Sequence, residues 1–229
     1  MNNVPDLYRS IKQILDNSNL SLTNRGLDNV ISLKGVADEI AKLGIINRLP
    51  YLLRKEIIEV TKDDLSGATN IPISAFENCK NLTTVTMPDS VTDIGSFAFG
   101  SCYNLTNITI SNSLTSIGPY AFHYCTSLEN VTIPNSVTNI DNSAFYYCYN
   151  LTSIVIPNSV NSIGGHAFYN CGNLDNVYMY SITPPTLGNT NAIPNDTLIH
   201  VPVGGGDAYK SATNWSYYSD RIVEDIVIE

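Results

Sequence analysis

Apolar residues recur along most of this chain with a period of 23 residues. Cysteine marks the period most clearly, since five cysteines follow one another at this spacing without an insertion: Cys79, Cys102, Cys125, Cys148 and Cys171. An Ala-Phe pair precedes each cysteine, a leucine follows three residues after it, and two further apolar residues come next at alternate positions. This fixed period predicts a solenoid, because one unit cannot bury its apolar side without stacking on the next.

Each unit contains one strand pattern and one turn pattern. The segment Leu-x-x-Val-x-Ile alternates and is rich in Thr and Ile, which predicts a short β-strand. Pro88, Pro134 and Pro157 end this strand in three units, because proline cannot donate to a hydrogen-bond ladder. The Ala-Phe-x-x-Cys segment is too short for a full helix and predicts one helical or 3₁₀ turn on the opposite side. Stacked units would place successive strands about 4.8 Å apart, with ladders of Phe, Leu, Ile and Cys inside.

The two ends of the chain depart from the repeat. Pro5 marks a helix start, a second helix is predicted from Ser32 to the Gly44 stop, and a third begins at Pro50. This helical unit is either a cap or an attachment device. The last coil needs a cap of its own, because its core would otherwise be exposed. The predicted segments are a helical N-terminal unit (1–56), a solenoid of five 23-residue units plus an entry coil (57–184) and a C-terminal capping region (185–229).

The repeat resembles the BspA-like class of leucine-rich repeats. The shared pattern is Ala-Phe-x-x-Cys-x-x-Leu-x-x-Val-x-Ile-Pro-x-Ser-Val-x-x-Ile-Gly, and the resemblance covers roughly residues 57–229. Ser90, Ser113, Ser136 and Ser159 stand where many leucine-rich repeats carry an Asn ladder, as in that class. The resemblance implies an α/β repeat solenoid with short parallel strands, preceded by the helical N-terminal unit and closed by a C-terminal cap.

Charge narrows the classes of function. The chain has 229 residues, 14% of them charged, and a formal net charge of −9, which argues against a nucleic-acid-binding protein. Residues 63–229 carry three basic and fourteen acidic residues, and Lys80 is the only Lys or Arg between Asp63 and Tyr209. No apolar run is long enough to span a bilayer, so membrane insertion is not expected. The first residues lack the basic and apolar segments of a secretory signal.

Candidate catalytic and metal-binding residues do not form a known motif. The cysteine count is odd and no Cys-x-x-Cys occurs, so we expect buried free thiols rather than disulfides or a metal site. His123, His166 and His200 belong to no His-Glu-x-x-His pattern, and the glycine cluster at 204–206 is typical of a turn. The sequence therefore predicts no enzyme activity, no cofactor and no metal.

Two solvent-facing surfaces are candidates for binding a partner. The first, which we call the tyrosine stripe, surrounds the Ala-Phe-x-x-Cys turns, and tyrosine gives a large contact area with little entropy to lose. Its members are Tyr103, Tyr120, His123, Tyr124, Tyr146, Tyr147, Tyr149, His166 and Tyr169. The second, the strand face, is short, polar and uncharged. Its members are Thr84, Thr86, Asn107, Thr109, Asn130, Thr132, Ser153, Asn176 and Tyr178, with Val155 in the same columns.

The resemblance implies a recognition or adhesion module that binds a protein or a glycan on a cell surface. Two roles fit, a bacterial surface adhesin and a phage tail or receptor-binding protein, and in the second role residues 1–56 would dock on the particle. Location would follow the role: the cell surface or the virion for these two, and the cytoplasm otherwise. The alternatives are a structural or assembly subunit, such as a virion decoration or spacer, and an intracellular protein-interaction module. Assembly as a homo-oligomer stays open.

Overall fold

The structure is a computed structural model that describes residues 57–228. These residues form short parallel strands and turns, stacked coil on coil into a solenoid of about seven turns. The predicted helical unit 1–56 lies outside the described residues. Each coil contributes three sides: a longer strand, a shorter strand and a turn side.

The longer strands correspond to the alternating pattern of the sequence. All of them pair in parallel, in two four-stranded sheets that a bridge between Thr132 and Val155 connects. Pairing joins residues 23 apart, such as Thr84 with Asn107, so the sequence period is also the structural register. The strands are β1 (Glu59–Val60), β3 (Thr84–Thr86), β5 (Asn107–Thr109), β7 (Asn130–Val131), β9 (Ser153–Ile156), β11 (Asn176–Met179), β13 (Leu198–Pro202) and β14 (Ile222–Ile226).

A second column of strands was not predicted. Each of its strands has only two residues, of which one is buried, so the alternation is too short to be recognised in the sequence. The column forms one six-stranded parallel sheet. Its strands are β2 (Asn70–Ile71), β4 (Asp93–Ile94), β6 (Ser116–Ile117), β8 (Asn139–Ile140), β10 (Ser162–Ile163) and β12 (Thr186–Leu187).

The turn side differs from the predicted helical or 3₁₀ turn. Each of the first coils crosses it in consecutive turns with two left-handed residues, such as Ser74 (φ 56°) and Asn78 (φ 63°). Their amides point to the next coil: Ser74 N–H donates to Ser96 O at 2.9 Å, and Asn78 N–H donates to Gly100 O at 2.7 Å. In a helical turn these amides would bond within their own segment. The turn side is therefore a third hydrogen-bonded ladder between coils.

The core consists of ladders of equivalent side chains. Phe99 and Phe122 stack with ring centroids 5.4 Å apart, and Phe122 and Phe145 follow at 5.3 Å. The cysteines are buried and free, as expected. The Cys125 thiol donates to Phe99 O in the preceding coil at 3.2 Å, so the sulfur fills space and also satisfies a buried carbonyl.

The C-terminal end of the solenoid is closed by a small helical segment. Helix α1 (Gly206–Ser211) and a 3₁₀ helix (Trp215–Arg221) lie between β13 and β14. The indole of Trp215 is buried and donates to Pro185 O at 2.7 Å, and Tyr209 donates to Ser181 O at 2.8 Å. The polar atoms of these two aromatic side chains therefore have hydrogen-bond partners, while their rings cover the last coil. No helix in residues 57–228 is long and apolar enough to cross a membrane.

Candidate recognition surface

The turn side carries the tyrosine stripe. Its members come from four repeat positions, so residues far apart in sequence become neighbours in successive coils. Phe97 and Tyr120 stack with centroids 4.7 Å apart and planes within 1°. Tyr124 and Tyr147 also stack at 4.7 Å. Each pair occupies one repeat position in adjacent coils, so the ring planes lie across the solenoid axis.

Edge contacts join these stacks into one aromatic surface. Tyr146 stacks on Tyr169 at 5.3 Å and meets Tyr147 edge-on at 4.5 Å. The ring centroids of Tyr149 and Tyr147 lie 5.3 Å apart in an edge contact, and those of His166 and Tyr169 lie at the same distance. The ring network therefore runs without a break from Tyr120 to His166 across three coils, with rings in offset-stacked and T-shaped arrangements that aromatic pairs prefer.

His123 connects the two stacks of the stripe. Its ring meets Tyr120 and Tyr124 edge-on, at 5.9 and 5.5 Å, and its Nδ1 lies 3.2 Å from Tyr120 O. The ring lies directly over Gly100, where a Cβ atom would come within 2.3 Å of the imidazole. Partial burial lowers the pKa of His123, although the Tyr120 carbonyl and Glu77 oppose the shift. The lowered pKa favours the neutral form of the His123 ring at pH 7.

The phenol groups converge in the middle of the stripe. Loss of solvent raises the pKa of Tyr146, and a hydrogen bond with Tyr147 and the nearby phenols of Tyr124 and Tyr169 raise it further. The pKa of Tyr149 is also raised, by the same loss of solvent and by Tyr147 and Tyr124. These hydroxyls therefore stay protonated over the physiological range and are available as hydrogen-bond donors.

One predicted member lies apart from the network, and one member was missed. Tyr103 has Lys80 over its ring, 5.7 Å from the centroid. Phe97 was not predicted, although it contacts both Tyr120 and His123. The sequence does place Phe97 at the repeat position that Tyr120 occupies one unit later. This correspondence was overlooked because Phe99, two residues further on, is the core phenylalanine of the repeat.

Five aromatic residues of this surface have a backbone conformation that bulky side chains rarely adopt. Only the smallest residues take the left-handed region without cost. In other coils the equivalent positions hold small residues such as Ser101 and Asn170. The five aromatic residues are Phe97 (φ 58°), Tyr120 (φ 56°), Tyr124 (φ 58°), Tyr147 (φ 62°) and His166 (φ 60°).

The strand face lies on the longer strands and changes character along the solenoid. Its predicted residues line up in two columns, with Thr109 beside Thr86 in the first coils. Near the C-terminal end the face becomes apolar and aromatic, where Val155 pairs with Tyr178 and Tyr178 stacks on His200 at 4.5 Å. His200 also lies 2.7 Å from an Asp225 carboxylate oxygen. The face is exposed, yet its rings are few.

No group of three or more His, Cys, Asp or Glu side chains could hold a metal ion among residues 57–228. Burial raises the pKa of the Cys125 and Cys148 thiols, which keeps them protonated and unreactive.

The repeat sequence itself matches a known family. The model of the "BspA type Leucine rich repeat region" matches six copies over residues 67–188, which is more than half of the chain. This chain belongs to the BspA-type leucine-rich repeat family. The solenoid with short parallel strands, predicted above from the repeat, is thereby confirmed as a BspA-type fold, with fewer helices than an α/β solenoid implies.

Solved structures of bacterial leucine-rich repeat proteins are similar to this BspA-type chain. A T. pallidum leucine-rich repeat protein is 35% identical, with a TM-score of 0.51, over 53% of this chain and 58% of that one. The pneumococcal vaccine antigen PcpA has the same fold at 18% identity, with a TM-score of 0.61, over 80% of this chain and 44% of that one. The chain thus spans less than two thirds of either protein. A comparison with curated proteins found no match.

Proposed function

We propose that this protein is a non-enzymatic recognition module that binds a protein or a glycan on a cell surface through the tyrosine stripe. The observation that carries the proposal is the continuous aromatic network from Tyr120 to His166, whose rings are half-buried to exposed along one side of the solenoid. Tyrosine and other aromatic residues dominate the energy of protein interfaces, and their two side-chain torsions cost little entropy on binding.

The backbone of the stripe supports a binding role over a purely structural one. Tyr124 and Tyr147 accept left-handed conformations that asparagine, which stands at the equivalent position 170, would adopt more cheaply. Strained residues of this kind cluster at functional sites, where the surrounding structure holds them in place. Stacking between coils returns about as much free energy as the left-handed backbone costs, so coil-to-coil packing alone gives little net reason for half-buried rings at these positions.

The strand face is the weaker candidate for the same role. Its columns of Thr and Asn offer hydrogen bonds, but few of the aromatic or Arg anchors on which affinity usually depends. Only its C-terminal part, around Tyr178 and His200, has stacked rings.

We extend the proposal to the role of the module in its organism. A bacterial surface adhesin and a phage tail protein both require recognition of a cell-surface molecule, and residues 1–56 would provide attachment in the second case. The competing proposals, a structural or assembly subunit and an intracellular interaction module, do not require the stripe to contact a cell surface.

Binding of the labelled full-length chain to intact bacterial cells and to immobilised host matrix proteins tests the proposal. We expect saturable binding to one of them, and its loss in the Tyr146→Ser/Tyr147→Ser variant. The matched control is Tyr180→Ser/Tyr217→Ser, which removes two exposed tyrosines outside the stripe. Equal loss in both variants, or loss only in Tyr178→Ser, would move the site away from the stripe. A folded protein that binds neither target would favour the structural subunit.

A further inference from the structure

One coil of the solenoid breaks the repeat at two nearby positions. Where Gly95, Gly118, Gly164 and Gly188 follow the second strand in four other coils, this coil has Asp141, and only the first coil also departs, with Pro72. Two residues later, the coils on either side have aromatic residues, Tyr120 and His166, whereas this coil has Ser143, as the first coil has Ser74. Both changes fall in the middle of the tyrosine stripe, between the coils of Tyr120 and His166.

The glycines that Asp141 replaces are required by close packing of the coils. A Cβ atom at Gly118 would come within 2.3 Å of Ile94 O, and one at Gly164 within 2.4 Å of Asn142 N, both in the preceding coil. Gly95 and Gly188 are similarly crowded. A side chain at this position therefore needs local adjustment. Pro72 stands there in the first coil, where β2 is the edge strand of the sheet, so Asp141 is the one residue with a side chain there among the coils that stack on a preceding short strand. Its carboxylate is a departure from the repeat that packing does not explain.

The serine leaves a notch in the aromatic surface. Because Tyr120 stacks on Phe97, its second ring face points along the axis toward the next coil, where Ser143 supplies only a hydroxymethyl group. Ser143 is 5% exposed and forms the floor. The imidazole of His166 occupies the same repeat position one coil further on, so two coil spacings, about 10 Å, separate the two aromatic walls. Subtracting the thickness of the rings leaves room for one side chain.

The chain itself offers no cation for this notch within its repeats. Lys80 is the only Lys or Arg between Asp63 and Tyr209, and it already lies over the Tyr103 ring. Arg221 lies over the ring of Tyr218, 4.7 Å from its centroid. Lys80 and Arg221 thus contact tyrosine rings, whereas the face of Tyr120 turned away from Phe97 has no cation from the repeats.

We propose that the notch between Tyr120 and His166 receives a lysine or arginine side chain from a basic segment of a protein partner. The proposal rests on the proposed function of the stripe and adds its partner class. An aromatic face attracts a cation, and the carboxylate of Asp141, two residues before Ser143 in the same coil, adds to the attraction. The excess of acidic residues over 63–229 steers a basic partner toward the domain and repels anionic glycans and nucleic acids. A neutral glycan would need the rings but not Asp141.

Fluorescence anisotropy with labelled synthetic peptides tests this inference on the full-length chain. The probes are an Arg/Gly peptide, a Lys/Gly peptide and a Gln/Gly peptide of equal length. Two variants close or neutralise the notch by restoring the repeat: Ser143→Tyr and Asp141→Gly. Because other coils carry these residue types, both variants should fold. The matched controls are Asn170→Tyr, which adds a tyrosine at another left-handed position, and Asp175→Asn, which removes one charge elsewhere.

We expect the two cationic peptides to bind, and the Gln/Gly peptide to bind at least tenfold more weakly. Each notch variant should lose about tenfold in affinity for the cationic peptides, whereas the affinity of the control variants should change little. Equal binding of the neutral peptide, no cationic binding, or unchanged affinity in the notch variants would overturn the inference. The cell and matrix assay on the same variants separates the two proposals. Binding to cells or matrix that requires Tyr146 and Tyr147 but is unaffected by Ser143→Tyr would support the stripe as the binding surface and contradict the cation site. Binding of a neutral oligosaccharide in the notch would have the same meaning.

Discussion

At the scale of single residues, the turn side imposes two demands that conflict. The left-handed positions favour small residues, since a side chain there costs about 1–2 kcal/mol. Stacking of the rings returns about 0.5–1.5 kcal/mol for a pair such as Tyr124 and Tyr147. The two terms are of similar size, so the aromatic residues bring little net stability. Their presence is better explained by what they offer to a partner than by what they add to the fold.

Protonation of His123 provides a test at the same scale. Its folded pKa is lowered, chiefly by burial, from the usual value of about 6.5, so protonation favours the unfolded chain. The contribution of neutral His123 to the free energy of unfolding is complete above about pH 6.5 and is lost as the pH falls through the folded pKa. An NMR titration should give a midpoint for His123 below about 6.5.

The variant His123→Gln serves as the comparison for this titration, because glutamine does not ionise. Between about pH 7 and about pH 5, unfolding by urea should show a smaller acid loss of stability in the variant than in the wild type. An identical pH dependence in the two proteins would mean that His123 does not titrate with unfolding.

At the scale of elements, each coil is stabilised mainly by equivalent neighbours on both sides. Phe122 stacks between Phe99 and Phe145, and the Cys148 thiol donates to its carbonyl at 3.2 Å. The longer strands were predictable, because three to four alternating residues carry the pattern. The second column of strands was not predictable, and neither was the left-handed turn. Ser74 and Asn78 have no sequence signal that separates a left-handed ladder from a helical turn, since both residue types also occur at helix caps.

Removal of one rung measures this dependence. Phe122→Ala should lower the free energy of unfolding by about 3–5 kcal/mol, because the site is enclosed on both sides and cannot collapse fully. Urea denaturation followed by circular dichroism would measure the change, with the exposed Tyr103→Ala as the control that should cost little. A midpoint unchanged in Phe122→Ala would show that the 23-residue register proposed for the ladder is wrong.

At the scale of the whole molecule, stability depends on nearest neighbours and on closed ends. In a solenoid each coil contacts only the next, so an uncovered end opens first. Trp215, Tyr209 and Tyr218 are fully buried and cover the last coil of the described chain. Tyr218 donates to Thr190 O at 2.7 Å, which ties the cap to the segment after the last regular repeat.

We predict that the C-terminal end of the solenoid opens first when its cap is weakened. Trp215→Ala should cost about 3–5 kcal/mol and leave Pro185 O without its donor. In hydrogen exchange, amides of β11 and β13 should lose protection before those of β5, because unfolding then begins at the uncapped end. A uniform loss of protection along the solenoid would indicate a single cooperative unit in place of nearest-neighbour coupling.

The sequence by itself determined the repeat, its register and the ladders of Phe, Leu, Ile and Cys, because stacking of identical units requires the same residue types at the same positions. It also located the tyrosines on the turn side. Only the tertiary structure decided that these rings form one network, that Phe97 belongs to it, and that the backbone beneath them is left-handed. Those properties depend on contacts between coils, which a period along the chain does not describe. The notch at Ser143 became recognisable for the same reason, once Tyr120 and His166 were placed on either side of it.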